Sequence, residues 1–101
     1  MKYNQYEIEA TIWLYPGKAA WHFVTVPQDI SGEIRQLFGD RARGWGSLPV
    51  EITLGSSIWS TSIFPDKKEG IYLLPLKESI RKKEQIRAGD SVKFLLEIKT
   101  H

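Results

Sequence analysis

The residues best equipped to recognise a ligand are clustered at Arg41-Ala42-Arg43-Gly44-Trp45-Gly46-Ser47. Two guanidinium groups can grip a phosphate or carboxylate bidentately, and an indole can stack on a planar ring. The same run has a plainer use, in which the glycines permit a tight turn and Trp45 plugs the end of a barrel. Packing is the expectation for Trp45, and the arginines remain candidates for recognition. Asp66-Lys67-Lys68 could extend a basic rim. In a turn, however, Asp66 is expected to bond local backbone N–H groups while the lysines stay solvated. Arg43, Ser47, Asp66 and Tyr72 would make a reactive pocket only if the fold brought them together. The ligand-binding candidates are therefore Arg41, Arg43, Trp45, Ser47, Asp66, Lys67 and Tyr72, with no catalytic residue and no metal ligand among them.

Other reactive side chains carry less. His22 stands alone between Trp21 and Phe23, with no partner at metal-ligand spacing, and reads as a satisfied strand residue. Glu7, Glu9 and Glu51 could meet across strands, but nothing in the sequence requires it. There is no Ser-His-Asp order, nucleophile elbow, phosphate-binding glycine loop or HExxH segment. The chain has no cysteine, which excludes disulfides, thiol catalysis and thiolate metal sites and fits a reducing cytoplasm. Lys77, Arg81, Lys82, Lys83 and Arg87 outnumber Glu78 and Glu84 on one segment, where a solvated helix face with a Glu78–Lys82 pair is the expectation.

The elements that must position these groups follow from periodicity. With 101 residues the chain is expected to form one domain over residues 1–101, large enough for a single core. Hydrophobic residues make up 42% and charged residues 26%, as in folded soluble proteins, and the net charge of +2 is too small to announce nucleic acid. No apolar run reaches bilayer length, and Met1-Lys2-Tyr3-Asn4-Gln5 lacks the apolar core of a signal peptide. Tyr6, Ile8, Ala10, Ile12 and Leu14 alternate with Glu7, Glu9, Thr11 and Trp13, which predicts a half-buried strand with Trp13 on its outer face. Pro16-Gly17-Lys18 turns the chain into a second strand, Trp21 to Val26. After Pro27, the spacing of Ile30, Ile34, Leu37 and Phe38 predicts a helix ending at Gly39. Strands follow at Val50–Leu54 and Ile58–Phe64 about a Gly55-Ser56 turn. Ile71–Leu74 is a short strand, Pro75 opens a helix to Arg87, and Val92–Ile98 is the last strand. The count is six strands and two short helices, mainly β.

The two halves repeat one unit: strand, proline, short helix, turn, strand. Val24-Thr25-Val26-Pro27 leads to Ile34 and then Val50–Leu54; Leu73-Leu74-Pro75 leads to Ile80, Gly89-Asp90 and then Val92–Leu96. Neither half covers its own apolar face, so the two must interlock, and closing the sheet into a barrel removes its edges.

Leu74-Pro75, Ile80-Arg81, Ile86, Gly89-Asp90, Val92 and Phe94 resemble the swapped-hairpin signature of AbrB/MazE-type proteins. A longer set includes Ile12-Trp13-Leu14-Tyr15-Pro16-Gly17, Trp21-His22-Phe23-Val24, Arg43-Gly44-Trp45-Gly46-Ser47, Phe64-Pro65-Asp66-Lys67 and Gly70-Ile71-Tyr72-Leu73-Leu74-Pro75-Leu76-Lys77. From about Tyr6 to Ile98 it resembles the bacterial and archaeal domain-of-unknown-function family numbered nineteen-oh-five. The resemblance implies a single-chain, pseudo-two-fold double-split β-barrel, in a family that also occurs fused to an OmdA-like bacteriocin-protection domain. It implies no catalytic residue.

Three functions follow in order. The first is a cytoplasmic, non-enzymatic binding module for a small ligand or a protein partner, without a cofactor. The second, by fold analogy, is an AbrB-like DNA-binding regulator using Arg41, Arg43, Lys67 and Lys68. The third is an enzyme with an unrecognised site. No membrane association is expected. An exposed apolar cleft near Trp45 or Trp13 would favour the first.

Overall fold

Alternating aliphatic residues build one continuous antiparallel sheet, curled into a half-barrel, in a computed structural model that describes residues 3–17 and 20–100. The elements are β1 (Gln5–Thr11), β2 (Trp13–Leu14), β3 (His22–Val26), α1 (Gln28–Phe38), β4 (Leu48–Leu54), β5 (Ser57–Asp66), β6 (Ile71–Pro75), α2 (Glu78–Glu84) and β7 (Ser91–Ile98). Two 3-10 turns, Gly39–Arg41 and Gly44–Gly46, link α1 to β4. The seven strands run in the order β1-β7-β4-β5-β6-β3-β2. Lys18 of the expected first turn, and Met1 and Lys2, lie outside the described residues.

Seven strands stand where the periodicity counts six, because the first one divides at Ile12. Gln5–Thr11 pairs with β7, whereas Trp13 and Leu14 pair with Phe23 and His22 of β3. Ile12 between them bonds to neither strand. Its N–H reaches the Asp90 carbonyl at 2.9 Å and its carbonyl accepts from Gly89 at 2.8 Å. β5 is shared in the same way, Ser57–Ile63 pairing with β4 and Phe64–Asp66 with β6.

The concave face carries the core. Val24, Val26, Ile34, Val50, Ile52, Ile63, Leu74 and Leu96 are wholly buried there, with Tyr6, Ile8 and Phe94 beside them. Leu14, expected on that face, is instead 46% exposed, because the two-residue β2 has only β3 to pack against. α1 starts where expected, with Pro27 as N-cap in extended backbone, and Ser31 N–H bonds the Pro27 carbonyl at 2.8 Å. The helix ends at Phe38 with Gly39 as C-cap, as expected, although Gly39 keeps right-handed backbone and continues into a 3-10 turn. Pro75 does not open α2. It is the last residue of β6, opposite Phe23 and beyond the reach of β5, so no ladder donor is missed, and Lys77 is the N-cap. α2 stops at Gln85, whose φ of 56° is left-handed, short of the expected Arg87. Its Glu78–Lys82 pair forms at 3.8 Å between exposed side chains.

Two polar devices fix the helices to the sheet. Ser31 is fully buried; its hydroxyl donates to the Val26 carbonyl at 2.9 Å and accepts from Tyr72 N–H at 3.0 Å, tying α1 to β3 and β6 at once. Glu84 of α2 reaches the β4–β5 turn, accepting from the hydroxyls of Ser57 and Ser56. The Ser57 bond above all holds its carboxyl below the usual range, against the opposing pull of burial. Gly55 in that turn has φ +58°, and a side chain there would collide with the Glu84 carboxylate.

Replacing Ser31 by alanine strands a buried N–H and a buried carbonyl. The expected loss is about 1–3 kcal/mol, read by urea unfolding. Two buried phenols link stability to alkaline pH. Burial first, then the nearby Glu33 carboxylate, pushes Tyr6 up to about 12, although its hydroxyl lacks a hydrogen bond of good geometry. Burial also raises Tyr72, with Arg35 opposing. In the unfolded chain such phenols ionise near 10. The contribution of Tyr6 to stability is therefore complete below that pH and is lost as pH climbs from 10 toward 12. Tyr6→Phe should flatten that fall in a pH series of thermal melts.

Candidate functional site

The convex face of the first hairpin carries aromatic residues in place of aliphatic ones. Period two places Trp13 and Tyr15 on that face of the first hairpin strand, and Trp21 and Phe23 on the second. Trp13 lies opposite Phe23, and Tyr15 N–H bonds the Trp21 carbonyl at 3.0 Å. The rings interlock: Trp13 and Phe23 centroids are 5.3 Å apart, Tyr15 and Trp21 5.8 Å, and Tyr15 meets Phe23 edge-on at 5.9 Å. Trp13 is half-buried by this packing, and its indole N–H donates to Thr25 Oγ1 at 3.0 Å.

The ladder carries the face onward. Phe23 is opposite Pro75, Thr25 opposite Leu73, and Leu73 opposite Phe64. Where β5 leaves β4 for β6, a groove of about 550 Å³ opens, walled by Trp21, Phe23, Trp59, Phe64, Leu73 and Pro75. Buried Leu76 is part of its lining, and Ser60, Thr61, His22 and Lys77 supply the polar groups. Size and composition are those of a small-molecule site, an apolar cleft with few convergent polar atoms.

One end of the groove is cationic. His22 Nδ1 lies 3.1 Å from the Ala20 carbonyl, so that nitrogen carries the proton, and Nε2 accepts from Arg81 Nη1 at 3.3 Å. Arg81 Nε donates to the Leu76 carbonyl at 3.1 Å. Lys99 Nζ donates to the lining Ser60 at 2.6 Å, and Glu51 faces Ser60 across the ladder. Among the described residues no group of three acidic or histidine side chains could hold a metal ion.

The residues singled out by sequence do not assemble into one site. Arg41 and Arg43 share a shallow depression of about 230 Å³ with Leu48, Pro49 and Lys99. Ser47 closes its own loop, its carbonyl accepting from Arg43 N–H at 2.9 Å. Asp66 behaves as a turn residue, its carboxylate accepting from Glu69 N–H at 3.3 Å, and Lys67 is exposed. Tyr72 is buried on the concave side. The packed Trp45 is corrected outright: its side chain is 93% exposed. Its φ of 70° and that of Gly46 at 83° turn the backbone so that the indole points outward, while Gly46 presses on Pro65 too closely to admit a Cβ. The groove itself escapes sequence reasoning, although aromatic residues alternating on the outer face of both hairpin strands were its visible signal.

These features define a small, mainly antiparallel β domain with two short helices and an open aromatic groove. Residues 9–96 match the family described as Domain of unknown function (DUF1905), and the chain belongs to that family. No curated protein matches it.

Trp45→Gly tests the exposed loop. The melting temperature should stay level or rise, because the left-handed backbone suits glycine and no packing is lost. A packed tryptophan would cost about 3–5 kcal/mol on truncation.

Proposed function

We propose that this protein is a non-enzymatic binding module and that the aromatic groove holds a small apolar molecule. The observation that carries the reading is one cleft of about 550 Å³ walled by six apolar side chains from β3, β5 and β6 and their flanks. Phe23, Phe64, Leu73 and Pro75 lie on the solvent side of the sheet, where contiguous apolar surface marks binding, while Trp59, opposite Ile52, turns in toward the core and forms the inner wall. The enzymatic alternative loses ground because Tyr72 is buried away from Arg43, Ser47 and Asp66, and Asp66 is engaged by its own turn. The DNA-regulator alternative rests on fold analogy alone. A cysteine-free chain suits a cytoplasmic setting.

The scaffold we propose for this site is a closed, pseudo-two-fold double-split barrel of AbrB-like type. Two sets of pairings support it. β5 is split between β4 and β6, as the β1–β2 stretch is split between β7 and β3. β3 pairs antiparallel with β6 and β4 with β7, the counterpart strands of the two repeats, and Pro27 and Pro75 lie at opposite ends of the β3–β6 pair.

The test is titration with neutral 2-naphthalenemethanol, followed by the indole N–H resonances of all four tryptophans. Saturable shifts should appear at Trp21 and Trp59 and leave Trp45 unmoved. Phe64→Ala, an exposed and foldable change, should weaken binding about fivefold, the effect of one lost apolar contact surface of roughly 1 kcal/mol. Shifts absent up to the solubility limit, or confined to Trp45, would overturn the reading.

A further inference from the structure

The geometry points to a more specific occupant: we infer that the groove takes a small molecule with an aromatic or aliphatic body and a single carboxylate, the acid seated at the Lys77 end. This rests on the groove being a ligand site and adds the charge of what it holds.

The argument is one of uncompensated charge. Among the described residues twelve line the groove, and none of these is acidic. Lys77, exposed, is the cation among them. Behind His22, which also lines it, stands the Arg81 guanidinium at 3.3 Å. The hydrogen bonds of Arg81 go to the neutral Nε2 of His22 and to the Leu76 carbonyl, so its charge is held in place without being cancelled. The only ion pair among the described residues is Lys82–Glu78, and it engages neither Lys77 nor Arg81. Two positive groups thus stand beside an apolar cleft whose described lining holds no carboxylate, the neighbouring Glu78 being paired with Lys82. Lys99, whose ammonium donates to Ser60 at 2.6 Å, is not part of the groove lining.

An anion entering from solvent would find the Lys77 ammonium, with Arg81 held behind His22, and ring faces for its body. Charge-assisted bonds are shorter and stronger than neutral ones. A carboxylate suits the site better than a polyanion, because a cleft with six apolar walls and one lining ammonium cannot solvate several charges.

Three isosteric probes separate this inference from the reading beneath it: 2-naphthoate, 2-naphthalenemethanol and the cationic 2-naphthylmethylamine, each measured by calorimetry on the full chain at low salt. The naphthoate should bind about tenfold tighter than the alcohol, and the amine should bind weakest. Lys77→Met should abolish most of the acid's advantage and leave the alcohol unchanged. Lys93→Met, an equal change in net charge outside this groove, should leave all three affinities as they were. Raising the salt should narrow the gap between acid and alcohol. Equal affinity for acid and alcohol, or an advantage that survives Lys77→Met, overturns the carboxylate and leaves the groove reading standing. No binding of any probe overturns both.

Discussion

The structure depends on one stretch of chain satisfying both ends of a sheet. From Gln5 to Leu14 the backbone hydrogen bonds first to β7 and then to β3, changing partner at Ile12. Strand edges left open would cost unpaired N–H and C=O groups and invite association with other chains. Here the two terminal strands of the order, β1 and β2, are neighbours in sequence, and Ile12 anchors the change through Asp90 and Gly89. Strand β2, only two residues long, is held because it continues β1 and because Trp13 stacks on Phe23.

That arrangement divides the labour between the two faces. The concave face is filled by Val, Ile and Leu from β3, β4, β6 and β7, and by Ile34 and Phe38 of α1. The aromatic residues of β2 and β3, Trp13 and Phe23, are left on the outer face, packed against each other. β5 does the rest. By leaving β4 for β6 after Ile63 it opens the groove and sets Trp59 and Phe64 on its walls. The groove is thus a consequence of strand sharing. α2 finishes it, bringing Lys77 and Arg81 to one end and binding the β4–β5 turn through Glu84.

How much was legible in the sequence differs by element, for physical reasons. β4 and β7 read cleanly because each is buried on one face only, and period two records that directly. The division of the first strand was not legible: Ile12 keeps the alternation while its backbone changes partner, and side-chain pattern carries no record of hydrogen bonding. Pro75 misled because proline is at home both at a helix start and at an unpaired strand position. Trp45 was misread because its exposure is set by a left-handed φ that its neighbours Gly44 and Gly46 did not announce. Ser31 and Glu84 are polar residues on amphipathic helices, and only their tertiary partners reveal them as ties. The groove was the least legible feature, since its walls come from three strands distant in sequence, although the family resemblance built on many of the same segments was sound.

The most direct measurement of the strand-sharing account is native-state amide hydrogen exchange, residue by residue. If one stretch clamps both ends of the sheet, the amides of Ile12 and Gly89, together with ladder-bonded amides of β3, should exchange as slowly as those of Ile52 and Leu96, through global unfolding only. Amides of β2 and β3 exchanging orders of magnitude faster, with β4 and β7 still protected, would show the aromatic hairpin opening on its own and would contradict the account.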